Sequence, residues 1–350
     1  MELECRPKSQ PGMNRHKRPD FFIVGAPKCG TTAMVEYLSK HPDIFMAKKE
    51  AHFFGSDLRF GPQFYRRERN AYLQLFDDWN GQSRMGESSV WYLYSTQAAA
   101  EIKAFNPRSR IIIMLREPTE MLYSLYHQFR ADGNEHLPTF EEALAAQNDR
   151  RAGRHITRYT YFNQGLIYHE VARYTEQIRR YFNVFGREQV HVVLYDDFAA
   201  KPAVTYRNAL DFLGVDSIQI RDSFPVINGS NSVKSSILRD IISDPLVRGT
   251  AISMGIRLPR PIFTAMQKIE SQLKRLNRRP EKRPRLDPDL RASLKREFMP
   301  EVERLSELLG CDLTDWSREE PPSQQQVCAM QGCLRPEPAM QLLKQSDAAG

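Results

Sequence analysis

Cysteines are few and long apolar runs are absent. The five cysteines, Cys5, Cys29, Cys311, Cys328 and Cys333, form an odd, scattered set with no C-x-x-C pair. This spacing speaks against a zinc ribbon or a dithiol redox centre, and free thiols fit a reducing compartment. No other cluster of metal-ligand residues stands out, so no metal is expected to be required. No segment approaches the roughly 20 apolar residues that span a bilayer, which predicts no transmembrane segment. Met1 to Asp20 is polar and rich in Arg, Lys and Pro, without the apolar core of a secretory signal. A cytoplasmic protein is the expectation.

What is present suits a sizeable enzyme core. With 350 residues, 41% of them hydrophobic, the chain has apolar surface enough for one large α/β domain. A net charge of +7 suits an anionic ligand, although a solvated basic surface explains it equally well.

Strands and helices alternate. Phe21 to Val24 is a short β-leaning run broken by Gly25-Ala26-Pro27, and Thr31 to Ser39 turns to helical spacing. Arg110 to Leu115 is apolar on both faces, as strands inside a parallel sheet are, and a helix starts near Pro118. A third strand is predicted over Gln189 to Tyr195, with helices near Tyr168 to Phe182 and Lys201 to Leu213. The pattern predicts a three-layer α/β sandwich, a mainly parallel central sheet flanked by helices. Past Gly214 the pattern becomes helical and basic, and Pro288 to Leu309 reads as an amphipathic helix. The expected organisation is a flexible N-terminus (1–19), one domain (20–317) with a helical basic part (233–317), and a disordered tail (318–350).

Gly25-Ala26-Pro27-Lys28-Cys29-Gly30-Thr31-Thr32 lies between the first strand and helix. It has the G-x-x-x-x-G spacing of a nucleotide-triphosphate loop, but Thr31 stands where the lysine belongs. Backbone N–H groups and a helix N-terminus still face an anion there. With Lys28 inside the loop, a group shorter than a triphosphate fits better. Arg116 ends a predicted strand, where ligands bind in doubly wound sheets, and Ser124 follows on the next helix. A guanidinium fork and a hydroxyl converging on one point suit a phosphate.

These motifs resemble those of the PAPS-dependent sulfotransferases, whose donor is 3′-phosphoadenosine-5′-phosphosulfate. Pro27 to Thr32, PKCGTT, resembles the family's 5′-phosphosulfate loop, and REPTEMLYS from Arg116 to Ser124 resembles its 3′-phosphate motif R-x-P-x-x-R-x-x-S. The resemblance implies a P-loop-like fold and a donor site formed by Lys28, Cys29, Gly30, Thr31, Thr32, Arg116 and Ser124. Met121 replaces the motif's second arginine. Lys49-Glu50-Ala51-His52-Phe53-Phe54 resembles the K-E-P-H-F-F segment of the heparan-sulfate-type and bacterial members, whose glutamate is the base. Glu50 is thus one candidate base, and His52 is the rival because its ordinary pKa suits neutral operation. Lys28, Glu50 and His52 are the catalytic candidates. Ser88 falls where the heparan enzymes carry a catalytic lysine, and Ser89 and Trp91 follow it. Lys234 lies in a basic segment where family members close over the nucleotide.

The implied reaction moves a sulfuryl group from PAPS to an acceptor hydroxyl or amine, on a small molecule or a glycan, and releases adenosine 3′,5′-bisphosphate. Two readings compete: a sulfotransferase-like protein that binds nucleotide without turnover, and a P-loop kinase. Nucleic acid is not an expected partner, since aromatic residues are sparse in the basic stretch from Lys268 to Arg296. Acceptor identity and oligomeric state have no code in these residues.

Overall fold

The computed structural model describes residues 18–48, 50–61, 68–216, 231–233, 272–273, 276, 278–280 and 283–318. Two sequence expectations, Lys49 and Lys234, lie outside the described residues. Five strands, β1 (Phe21–Gly25), β2 (Ile44–Met46), β3 (Arg84–Ser88), β4 (Arg110–Leu115) and β5 (Val190–Leu194), form one sheet in the order β2-β3-β1-β4-β5. Every pairing in it is parallel. β1 is buried throughout and β4 from Ile111 onward, which is why both read as continuous apolar runs.

The helices are α1 (Thr31–Ser39), α2 (Arg69–Leu73), α3 (Ala98–Phe105), α4 (Pro118–Asp132), α5 (Phe140–Ala145), α6 (Gln147–Arg151), α7 (Tyr168–Val171), α8 (Tyr174–Phe185), α9 (Tyr195–Ala200), α10 (Pro202–Leu213) and α11 (Pro288–Leu309). Tyr37 of α1 packs against Phe198 of α9 and Tyr206 of α10, whereas α11 packs on α4 and α8, and α8 also on α3. Helices thus flank the parallel sheet, as the alternation predicts. Among the described residues no helix is long and apolar enough to cross a membrane.

Three differences from the sequence reading have physical causes. The short strands β2 and β3 carry no clear period, and β3 contains Gly86 and Glu87. Gly86 is there for space: a Cβ on it would lie 2.1 Å from Phe21 Cζ and 2.4 Å from Met46 Sδ. The single helix expected over Tyr168 to Phe182 is two, α7 and α8, with a break between them. The region past Gly214 also includes an antiparallel ribbon, β6 (Asn231–Val233) with β7 (Arg278–Pro280). Pairing between segments so far apart leaves no local periodicity to read.

Strand order positions the site. From β1 the chain runs to one side of the sheet, and from β4 to the other, so their C-terminal ends flank the switch point where doubly wound sheets bind ligands. Ala26 N donates to Met114 O at 2.7 Å, which ties the loop after β1 to the end of β4.

Candidate active site

The loop after β1 leads straight into the uncapped start of α1. Gly25 is required by close approach, since a Cβ there would lie 2.5 Å from Val90 O. Gly30 caps α1 with a left-handed φ of 85°, and no side chain among the described residues caps that helix. Ala33 N and Met34 N bond Gly30 O at 3.0 and 3.2 Å, while the N–H groups of Thr31 and Thr32 have no acceptor among the described residues. By contrast α4 is closed: Glu117 accepts from Thr119 N at 2.7 Å and Glu120 N at 2.9 Å. The start of α4 is capped by a side chain and the start of α1 is not.

Lys28 holds a left-handed φ of 63°, strained for a lysine and accepted only where the surroundings enforce it. Burial, followed by the Arg283 charge, holds its ammonium below the ordinary lysine range; Asp132 opposes this and Arg116 adds to it. Thr31 is buried and Thr32 exposed. The Cys29 thiol is fully buried, donates to Pro27 O at 3.4 Å, and is pushed by burial up to about 12. What Cys29 offers a ligand is its backbone N–H, and its thiol is inert.

Arg116 leaves the end of β4 for the same crevice. Its guanidinium lies 4.7 Å over the Tyr195 ring and bonds Glu120 at 3.3 Å, and Glu120 also pairs with Arg291 at 2.6 Å. The Tyr195 ring is what crowds Gly30: a Cβ on Gly30 would lie 3.1 Å from Tyr195 Cδ2. One aromatic ring thus lies beside both motifs. Trp316 steadies this element by donating from Nε1 to Asp196 at 2.9 Å.

Ser124 accepts a hydrogen bond from Arg283 Nη2 at 2.9 Å. Arg283 was hidden in the sequence inside a run of basic residues, with no spacing to single it out. Met121, at the position of the family's second arginine, is fully buried in the core and contributes packing. A cation reaches this end of the crevice from Arg283 instead.

The acid–base candidates stand on a rigid polar frame. Glu87 is fully buried and accepts from Tyr72 Oη at 2.8 Å and Ser89 Oγ at 2.6 Å. Ser89 Oγ in turn accepts from Ala51 N at 3.0 Å and His52 N at 3.2 Å. Tyr92 Oη accepts from Phe53 N and Phe54 N. Ser89 is therefore scaffold, and Trp91 is core, stacked on Phe129 at 6.0 Å. His52 also has a left-handed φ, 47°, and its Nε2 lies 3.3 Å from Glu50 Oε2.

Their environments separate the two candidates. The Glu50 side chain keeps 45% of its surface open, yet burial and then the Glu87 carboxylate push its pKa up to about 7. His52 is 9% exposed, packs 4.4 Å from the Phe60 ring, and is pushed by burial down to about 4. Around neutral pH it is an uncharged imidazole beside Glu50.

The two segments beyond this pair are zipped together. Gly61 N donates to Tyr161 O at 2.7 Å, and Phe60 stacks on Phe162 at 4.3 Å. Asn134, fully buried, accepts from Tyr161 N at 2.7 Å and Phe162 N at 2.9 Å.

The sulfotransferase domain family matches residues 18–241. The chain is 28% identical over 249 residues to carbohydrate sulfotransferase 15 of Homo sapiens, across 56% of this chain and 44% of the relative. It is 28% identical over 207 residues to heparan sulfate glucosamine 3-O-sulfotransferase 3B1 of Mus musculus, across 59% of this chain and 49% of that protein. These matches span about half the length of the curated relatives. The solved structure of a sulfotransferase from Alicyclobacillus acidocaldarius is 31% identical, with a TM-score of 0.63, covering 86% of this chain and 99% of that one. The family uses PAPS as donor. With the phosphate loop, the parallel sheet and the matched domain in agreement, this chain belongs to the sulfotransferase family.

Proposed function

We propose that the protein transfers the sulfuryl group of PAPS to a hydroxyl or amine of an acceptor and releases adenosine 3′,5′-bisphosphate. The observation that carries this reading is the Tyr195 ring, which lies beside the Lys28 loop at Gly30 and the Arg116 guanidinium. That shared ring supports two neighbouring anion sites, as a nucleotide with phosphate groups at both ends requires.

In this reading Lys28 and the N–H groups at the start of α1 receive the 5′-phosphosulfate, with Thr31 and Thr32 beside them. Arg116, Ser124 and Arg283 receive the 3′-phosphate. Glu50 takes the acceptor proton, and neutral His52 holds its carboxylate in place. Sulfuryl transfer gains chiefly from positioning and from cations near developing negative charge, and Lys28 is the cation at the reacting end. The kinase reading lacks its lysine at Thr31 and meets Arg116 where a magnesium-binding aspartate belongs.

The relatives above are named for carbohydrate and for heparan sulfate glucosamine, which supports glycans as acceptors; small hydroxyl and amine compounds belong in the same screen. The experiment is transfer from labelled PAPS across glycans, phenols, lipids and amines, with binding of adenosine 3′,5′-bisphosphate measured alongside. Binding without transfer to any acceptor would favour the non-turnover reading, which Ser88 in place of a lysine motivates. Absence of both would remove the sulfotransferase assignment.

A further inference from the structure

Among the described residues, two buried nitrogens beside Ser124 have no hydrogen-bond partner: Arg283 Nε and His127 Nε2. A buried donor left unpaired is costly, and native structures satisfy such groups with protein, ordered water or a ligand. Both side chains pack on one ring. The Arg283 guanidinium carbon lies 5.8 Å from the centre of Tyr123, and the His127 ring lies 4.5 Å from it, edge to face.

The helix explains the meeting. Glu120, Ser124 and His127 are spaced by four and three residues, which sets them along one stripe of α4. Glu120 orients Arg116 and Ser124 holds Arg283, so the stripe already carries both arginines assigned to the 3′-phosphate. His127 is its next member, one turn on. Burial, with the Arg283 and Arg130 charges, holds the imidazole neutral, so it can offer an N–H without adding another cation to the crevice.

We propose that His127 is a further nucleotide-binding residue, whose Nε2 joins Arg283 Nε in satisfying the 3′-phosphate and so separates this nucleotide from one lacking that group. The proposal rests on the sulfotransferase reading and assigns His127 a role beyond the motif residues Arg116 and Ser124. A phosphate oxygen supplies the acceptor that both nitrogens lack. A nucleotide ending in a free 3′-hydroxyl leaves them as they are.

The test is calorimetric titration of the whole protein with two probes, adenosine 3′,5′-bisphosphate and adenosine 5′-monophosphate. His127→Phe keeps the ring and removes the donor; it should weaken bisphosphate binding about tenfold, the loss of one hydrogen bond to a charged group. His127→Gln, which restores an N–H, should recover part of that loss. Binding of the monophosphate should be the same in all three proteins. An equal loss for both probes would make His127 a packing residue and overturn the proposal, as would an unchanged bisphosphate affinity. Failure of the wild-type protein to bind bisphosphate at all would instead strike the sulfotransferase reading on which the proposal stands.

Discussion

At the residue scale, charge and burial divide the labour between neighbouring side chains. Lys28 is strained, partly buried and surrounded by other cations, a set of costs that an anion at the loop reverses. Lys28→Ala should abolish transfer from labelled PAPS, whereas Arg116→Ala should chiefly raise the PAPS concentration needed. Near-normal kinetics in both variants would remove the assigned donor site. Glu50 and His52 are driven apart by their surroundings: the carboxyl is lifted to about 7 and the imidazole lowered to about 4. Glu50 must be ionised to accept a proton, so kcat/KM should fall as pH drops below about 7 and level off above it. Glu50→Gln should remove that limb and cost about a hundredfold to ten-thousandfold in rate. A pH profile unchanged in this variant would move the base elsewhere.

At the scale of elements, the site depends on fit between strands that carry little chemistry themselves. β3 runs between β1 and β2 and holds Gly86 against Phe21 and Met46. Gly86→Ala should destabilise the fold by about 1–3 kcal/mol or more, the usual cost of overpacking a filled core. A shift in the denaturant midpoint checks this. The same strand ends in the Glu87–Ser89 pair that fixes the backbone of Ala51 and His52. β3 therefore serves the catalytic segment through hydrogen bonds, which explains buried polar residues in a strand that carries no hydrophobic period.

At the scale of the whole molecule, in the proposed reading the donor and acceptor sides lie on different parts of the chain. The donor side gathers β1, β4, α4, α9 and Arg283, which lies far along the sequence from Ser124. The other side is a zipper of residues 57–61 with 161–164, anchored by Asn134. Asn134→Ala leaves the N–H groups of Tyr161 and Phe162 without their partner. It should raise the KM of an acceptor found in the transfer screen and leave the KM of PAPS nearly unchanged. Equal rises in both would show that the two sides are not independent.

Much of this protein was legible before folding. β1, β4 and β5 announced themselves as apolar runs, and α1, α4, α10 and α11 by period and capping, because burial on both faces and helical amphipathicity are local properties. The Lys28 loop, Arg116, Ser124, Glu50 and His52 stood out because each sits at a strand end or in a motif. Only the tertiary structure decided that Arg283 binds Ser124, that Met121 turns into the core, and that Ser89 and Trp91 are scaffold and packing. Those outcomes depend on which distant segments meet. The pKa gap between Glu50 and His52 is of the same kind, since it comes from what surrounds the two residues and not from their types. Residue type and spacing set which groups can hold an anion or carry a proton; burial and long-range contact set which of them do.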